Sequence, residues 1–246
     1  MTIGKNTIAR TGLIEASERR VRVQVGDAFV ADSKRPLRVW EHNKHPTYFF
    51  PKEDVRMVLL REVGQAGERI FWDLEVDARR VERAAYAYHD QPLLADYLTF
   101  IWYKMDHWYE EEQEVFVHAR DPYTRVDVLP SARHVRVEVD GVTVAETERP
   151  SLLFETGLPT RYYLAEEDVE MSALTPTDTL TRCPYKGTAS YWSVTVNGRR
   201  YDDLVWSYRD PIPESIGIKG LLAFYNERVD LYVDGELQER PQTAWS

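Results

Sequence analysis

Alternating apolar and polar residues predict short antiparallel β-strands. Residues 135–139 alternate valine with charged side chains, a period of two that is typical of a strand with one buried face. Asp140 and Gly141 follow, and this pair readily adopts the positive φ angles of a tight hairpin turn. The segment therefore predicts a β-hairpin.

The same pattern recurs at 192–198 and 229–235, each ending in an Asn-Gly or Asp-Gly pair. Turn signals about ten residues apart are typical of an all-β domain. Helix is expected at 213–219, in the corresponding stretch 91–100 of the first copy, and as single turns at Asp54 and Asp168. We predict a mainly β protein built from antiparallel sheet.

The chain contains an internal repeat. Residues 21–60 align without a gap with residues 135–174, with 15 identities in 40 positions. After this block the offset changes from 114 to 120, because Phe71 pairs with Tyr191. The first copy has therefore lost six residues, which are most simply placed opposite residues 181–186, Thr-Arg-Cys-Pro-Tyr-Lys. Self-similarity of this kind indicates a tandem duplication.

The repeat divides the chain into four predicted parts. Residues 1–20 form an N-terminal extension, residues 21–112 the first repeat, and residues 135–240 the second repeat. Residues 113–134 connect them, and their valine and phenylalanine residues predict an ordered connection. Only the second repeat keeps the Cys-Pro-Tyr-Lys segment.

Composition and charge exclude several functions. The 246 residues carry a formal net charge of −10, so neither nucleic acid nor an anionic membrane surface is an expected partner. The single cysteine excludes an internal disulfide and a four-cysteine zinc site. No apolar stretch resembles a signal peptide or a membrane span. We expect a cytoplasmic protein with no cofactor and no metal site.

The loop from Cys183 to Gly187 is the first candidate site. Lys186 lies three residues after the cysteine, and an ammonium group near the sulfur would favour the thiolate, so both residues are candidate catalytic groups. The alternative is a small apolar thiol packed on a turn. We favour the second interpretation, because no histidine lies nearby in sequence to act as a base.

Aromatic residues of the second repeat form the second candidate site. They could line a cage for a planar or anionic small ligand, or simply pack in the core. Alternation along strands predicts that Tyr191 and Trp192 face opposite sides and that Trp206 and Tyr208 share one face. The candidate ligand-binding residues are Glu155, Arg161, Tyr163, Tyr185, Tyr191, Trp192, Trp206 and Tyr208.

Comparison of the two copies separates structural from functional candidates. Arg149 and Glu155 recur in the first copy as Arg35 and Glu41, which favours a structural role. The loop with Cys183, Tyr185 and Lys186 is absent from the first copy and Trp206 is replaced there by Tyr86, which slightly favours a functional role for these four residues.

The second repeat resembles a bacterial family known as domain of unknown function 427. The residues that carry the resemblance are Arg149-Pro150, Phe154-Glu155-Thr156, Tyr162-Tyr163, Glu167-Asp168-Val169, Cys183-Pro184-Tyr185-Lys186-Gly187, Tyr191-Trp192-Ser193, Trp206-Ser207-Tyr208 and Ala223-Phe224-Tyr225. The resemblance implies a β-tent fold, in which two antiparallel sheets meet at an angle, similar to the cereblon drug-binding domain and methionine sulfoxide reductase B. The first repeat looks like the same domain without the cysteine segment.

The family has also been labelled a nucleotidyltransferase, an activity that needs closely placed carboxylates to hold Mg²⁺. Asp202 and Asp203 are adjacent, so on a strand their side chains would point apart.

Three functions remain open. The first is a small-molecule-binding module with its pocket in the second repeat and the first repeat as a scaffold or as the interface of a homodimer. The second is an enzyme that uses Cys183 as a nucleophile or redox thiol. The third is a structural or protein-interaction domain.

Overall fold

The computed structural model describes residues 10–246, and the chain divides into two compact units. The N-terminal unit ends at Asp121 and the C-terminal unit begins at Pro122. Each unit contains one seven-stranded and one four-stranded sheet, and every strand pairing is antiparallel. The prediction of two tandem, mainly β domains is confirmed.

In the N-terminal unit the large sheet has the order β1-β4-β5-β9-β8-β7-β6 and the small sheet the order β11-β10-β2-β3. The strands are β1 Ile14–Ala16, β2 Val21–Val25, β3 Ala28–Ser33, β4 Leu37–Val39, β5 Thr47–Pro51, β6 Leu60–Ala66, β7 Arg69–Val76, β8 Arg79–Tyr88, β9 Tyr97–Phe100, β10 His107–Glu110 and β11 Gln113–Glu114.

The C-terminal unit repeats this topology strand for strand. Its large sheet has the order β12-β15-β16-β20-β19-β18-β17 and its small sheet the order β14-β13-β21-β22. The strands are β12 Val126–Pro130, β13 Val135–Val139, β14 Val142–Thr147, β15 Ser151–Glu155, β16 Arg161–Leu164, β17 Leu174–Cys183, β18 Gly187–Val196, β19 Arg199–Pro211, β20 Leu222–Phe224, β21 Asp230–Val233 and β22 Glu236–Leu237.

The helices of residues 10–246 are short 3₁₀ turns, in agreement with the predicted low helix content. In the stretch 91–100, however, only Pro92–Leu94 is helical and Tyr97–Phe100 is a strand. The turns at Asp54 and Asp168 are present, and the turn that begins at Pro213 ends at Ile218. The 3₁₀ segments are Lys52–Asp54, Met57–Leu59, Pro92–Leu94, Trp102–Lys104, Glu166–Asp168, Met171–Ala173 and Pro213–Ile218.

The predicted hairpin turns form because their residues tolerate left-handed backbone angles. Asp140 and Gly141 have φ angles of 49° and 72°, and Asn197 and Gly198 have the same values. A type I′ turn requires positive φ at both central positions, which other residue pairs adopt only with strain.

Each large sheet has an inner face, which packs on the small sheet, and an outer face. In the C-terminal unit the inner core joins Val135, Val137 and Val139 of the small sheet to Val194 and Leu204 of the large one. The N-terminal unit has an equivalent inner core. The two cores supply the hydrophobic stabilisation of each unit and leave the outer faces free to differ.

Several polar contacts recur in the two copies. Thr147 donates to Asp168 at 2.7 Å, and Ser33 donates to Asp54 at the same distance. Arg149 pairs with the neighbouring Glu167. These bonds fix a 3₁₀ turn against the end of a strand, and both copies need them for the same reason.

Strand registers locate the six residues that the first copy lacks. Two residues separate the paired positions Ala66 and Arg69, whereas seven separate the equivalent pair Thr181 and Ala189. Five residues are therefore absent from the hairpin tip. The sixth is absent from the bulge beside Pro176, where residues 177–179 of β17 lie opposite a single residue of β18. The difference in length between the two copies is therefore not confined to the Cys-Pro-Tyr-Lys position.

The unit boundaries differ from the predicted domain boundaries. β1 lies in the predicted N-terminal extension, yet it pairs with β4 in the large sheet. β12 lies in the predicted connection, yet it pairs with β15. No helix within residues 10–246 is long and apolar enough to cross a membrane.

Truncation of the inner core should destabilise the protein. Leu204 is fully buried, so we expect Leu204→Ala to lower the free energy of unfolding by about 2–5 kcal/mol in urea titrations. Leu180→Ala is the matched control, because Leu180 is 67% exposed, and it should change stability by less than about 0.5 kcal/mol. If the two variants lowered the free energy of unfolding equally, this result would contradict the packing of Leu204 in the inner core.

Candidate functional site

The outer face of the C-terminal unit gathers most of the predicted site residues. Tyr163, Tyr191, Trp206 and Tyr208 pack there in one cluster with Ile218 of the 3₁₀ turn. These aromatic side chains are at most 6% exposed. The predicted alternation along the strands is confirmed, and most of the aromatic surface is used in packing.

The hairpin tip between β17 and β18 closes over one end of this face. The backbone of Ile212 donates to the carbonyl of Lys186 at 3.1 Å, and the Ser215 hydroxyl donates to the carbonyl of Tyr185 at 2.9 Å. Gly187 has a φ of 103°, and a Cβ there would lie 3.3 Å from the carbonyl oxygen of Asp210. The loop therefore requires glycine at this position.

Lys186 and Glu155 form a buried ion pair beneath the tip. Nζ of Lys186 donates to Oε2 of Glu155 at 2.5 Å, and their side chains are 11% and 8% exposed. Burial of two charges is costly unless they are closely paired. Lys186 thus directs its ammonium group to a carboxylate.

Cys183 is half-buried at the end of β17. Burial raises the pKa of the Tyr208 hydroxyl, and the negative charge of a Cys183 thiolate raises it further. Burial also raises the pKa of Tyr163, with contributions from Glu155 and Cys183. The thiol, the two phenols and the carboxylate are therefore close enough for their charges to interact.

Arg161 is held in a second buried ion pair. Its guanidinium group donates to both carboxylate oxygens of Glu227 at 2.7 Å. It also lies 5.5 Å from the ring centres of Trp206 and Trp245. Thr243 donates to the same carboxylate at 2.7 Å.

Sequence reasoning missed Glu227, Thr243 and Trp245. Arg161 and Glu227 lie 66 residues apart, and no motif connects them. It also missed Tyr225 as a site residue, although the Ala-Phe-Tyr segment carried part of the family resemblance. The Tyr225 ring lies 4.6 Å from that of Trp206.

Two of the predicted ligand-binding residues stand apart. Trp192 packs toward the inner core, away from the cysteine loop. It lines a separate cavity of about 300 Å³ with Arg209, whose guanidinium carbon lies 5.8 Å from the Trp192 ring centre. Tyr185 is half-buried at the hairpin tip.

The N-terminal unit has a counterpart of the buried carboxylate. Glu41 accepts bonds from the hydroxyls of Tyr86 and Tyr88 at 2.6 and 2.5 Å and from Nη2 of Arg69 at 3.0 Å. Arg69 occupies the strand position of Ala189. Burial, followed by the bond to Glu41, raises the pKa of Tyr88 to about 12. The first copy thus replaces the missing lysine with an arginine on the sheet.

Comparison with known families agrees with the repeated topology. A family model described as a domain of unknown function, DUF427, matches residues 13–111 and again residues 127–235. The chain belongs to this family. The two matches fall in the two units, so the DUF427 domain occurs here as a tandem pair. No curated protein shows significant similarity to the chain.

The adjacent carboxylates Asp202 and Asp203 have different hydrogen-bond partners. No group of three or more His, Cys, Asp or Glu side chains within residues 10–246 is placed to hold a metal ion. Asp202 accepts from Arg200 at 2.7 Å, whereas Asp203 accepts from Thr177 and Thr179 at 2.7 Å. The adjacent carboxylates have separate partners, as expected for neighbours that point apart.

Removal of the buried carboxylate of Glu227 should destabilise the C-terminal unit. Glu227→Gln leaves Arg161 without a counter-charge, and we expect a loss of about 3–5 kcal/mol in the free energy of unfolding. Glu167→Gln is the control, since Glu167 and Arg149 are both 68% exposed, and it should cost less than about 1 kcal/mol.

The stability difference between wild type and Glu227→Gln should also depend on pH. Burial opposes ionisation of Glu227, but the bonds from Arg161 and Thr243 outweigh it and lower the pKa of this carboxyl. Because the pKa of Glu227 is lower in the folded state, its ionised carboxylate stabilises the fold at pH values above the unfolded-state pKa. This stabilisation is lost as the pH falls through the folded-state pKa. The stability gap between wild type and Glu227→Gln should therefore narrow in acid. A constant gap would contradict this assignment.

Proposed function

We propose that this protein is a small-molecule-binding module whose site lies at the tip of the β17–β18 hairpin. The observation that carries the proposal is the buried Lys186–Glu155 pair beside the half-buried Cys183. Active sites often combine burial with closely placed charged groups, so this arrangement supports a functional role.

The fold does not need the hairpin tip. The N-terminal unit builds the same seven-stranded sheet with a two-residue connection between Ala66 and Arg69. A buried ion pair is seldom more stabilising than apolar packing of the same volume. Retention of a longer tip that carries Cys183 and Lys186 therefore favours a functional role.

The surroundings favour a flat polar ligand. The hydroxyls of Tyr163 and Tyr208, the thiol of Cys183 and the Lys186–Glu155 pair supply polar contacts. Half-buried Tyr225 borders the aromatic cluster and provides apolar surface, and half-buried Tyr185 lies at the hairpin tip. A ligand would bind by displacing part of the tip.

An enzyme that uses the Cys183 thiol is the second candidate function. The half-buried position of Cys183 beside two phenol groups favours it. Against it, the ammonium of Lys186 is bonded to Glu155, so its charge is shared with a carboxylate. Alkylation by iodoacetamide across a pH series separates the two functions. Fast labelling at neutral pH supports the enzyme, and labelling only at alkaline pH supports the binding module.

Ligand capture tests the proposed function. The protein is incubated with a protein-free metabolite extract and separated by size exclusion, and retained compounds are identified by mass spectrometry. We expect a retained compound that is lost with Lys186→Met and with deletion of residues 182–186. This deletion copies the connection of the N-terminal unit, in which Ala66, the equivalent of Thr181, directly precedes Gly67.

Lys219→Met is the matched control, because Lys219 is an exposed lysine of the same unit whose ammonium group lies 3.7 Å from the carboxylate of Asp210. It should retain the compound at wild-type levels. The proposal fails if wild type retains nothing, or if Lys186→Met and the deletion retain as much as the control.

A further inference from the structure

A cavity of about 280 Å³ lies in the N-terminal unit, in the copy without the cysteine loop. Its volume is at the small end of the range for ligand sites, which suits one or two fused rings. Aromatic and aliphatic side chains dominate its lining. The residues used below are His45, Thr47, Arg69, Phe71, Tyr86 and Tyr103.

Two substitutions between the copies open this cavity. Thr47 begins β5 where Arg161 begins β16, as the pairings with Val39 and Leu153 show. Tyr103 occupies the turn position of Glu227, since Lys104 bonds back to Ile101 as Arg228 bonds back to Tyr225. The buried Arg161–Glu227 pair therefore fills the equivalent space in the C-terminal unit. Thr47 and Tyr103, which is 81% exposed, leave it open.

The cavity contains one firmly placed cation. Nε and Nη2 of Arg69 donate to Tyr88 and Glu41, whereas Nη1 has no hydrogen-bond partner among residues 10–246. The guanidinium carbon lies 4.4 Å from the centre of the Tyr86 ring, which fixes its plane. A pre-positioned guanidinium N–H is a strong donor to a carboxylate.

The glutamate beside Arg69 does not repel an anion strongly. Glu41 already accepts three bonds, from Tyr86, Tyr88 and Arg69, and its side chain is only 12% exposed. Arg69 is 40% exposed, so a ligand in the cavity meets the guanidinium group first.

The remaining walls are flat and apolar. His45 stacks on His118 with ring centres 3.9 Å apart and an angle of 8° between the planes. Burial, followed by the charge of His118, lowers the pKa of His45 to about 4, so this imidazole is neutral at physiological pH. Phe71 and Tyr86 lie in the lining with their ring centres 6.0 Å apart, next to the guanidinium group of Arg69. Such walls favour a planar aromatic body.

We propose that the N-terminal unit contains a second ligand site, which binds a planar aromatic carboxylate with its acid group on Arg69 and its rings among Phe71, Tyr86 and the His45–His118 stack. The proposal is independent of the hairpin-tip site, because it uses none of the residues of the C-terminal unit.

Isothermal titration of the full chain with 2-naphthoate and 2-naphthamide tests this site. The two probes have the same ring system and differ in charge. We expect saturable binding of 2-naphthoate and at least tenfold weaker binding of the amide, because the amide loses the charge-assisted bond to Arg69. Equal affinities, or no saturable binding of the acid, would overturn the proposal.

Variants locate the bound probe. Arg69→Met should weaken 2-naphthoate binding at least tenfold. Arg80→Met is the matched control, since Arg80 also pairs with a buried carboxylate of the same unit, Asp73, but does not line the cavity. It should stay within twofold of wild type, and so should Lys186→Met in the other unit. If Arg69→Met binds 2-naphthoate as tightly as Arg80→Met does, the proposed site is wrong.

A double variant tests the cavity while keeping Arg69. Thr47→Arg with Tyr103→Glu installs the ion pair that fills the equivalent space of the C-terminal unit. It should abolish 2-naphthoate binding without loss of folding, checked by circular dichroism. Unchanged binding in a folded double variant would overturn the proposal even if Arg69→Met fails to fold.

Discussion

A buried glutamate at the outer face of the large sheet must have a cationic partner in each unit. An unpaired carboxylate out of water costs several kcal/mol, so neither copy can lose the cation without losing the acid. The C-terminal unit supplies the cation from a loop, through Lys186, and the N-terminal unit supplies it from a strand, through Arg69. Deletion of the loop therefore costs less stability in a copy that carries the arginine, and this links the hairpin length to the chemistry of the face beneath it.

A second ion pair determines where each unit has space. The Arg161–Glu227 pair closes the outer face of the C-terminal unit beside Trp206, and its side chains are 9% and 0% exposed. The N-terminal unit has Thr47 and Tyr103 instead and keeps a cavity there. The two copies thus share their inner cores and differ in which end of the outer face is filled. Divergence after duplication has changed the surface layer and left the packing between the sheets intact.

The sequence predicted the fold better than the site. Strand alternation, Asp-Gly turns and the offset of the repeat are local signals, and they led correctly to two copies of one antiparallel domain. The faces of Tyr191, Trp192, Trp206 and Tyr208 also followed from a period of two. The partners of Arg161 and Lys186 did not, because ion pairs between distant strands depend on sheet order, which alternation does not encode. The first copy looked degenerate because it lacked the loop, whereas its replacement cation, Arg69, lay on a strand and formed no motif.

The large sheet of each unit ends in an edge strand, β6 or β17, whose outer backbone groups have no partner strand. An unprotected edge of this kind can recruit strands from other chains and cause aggregation. Both edges are interrupted at equivalent places, by a bulge at Gly64 in one and beside Pro176 in the other. Proline cannot donate to a neighbouring strand, and a bulge breaks the regular spacing of donors and acceptors. The irregular hairpin that carries the cysteine loop is therefore also a poor template for pairing with a strand of another chain.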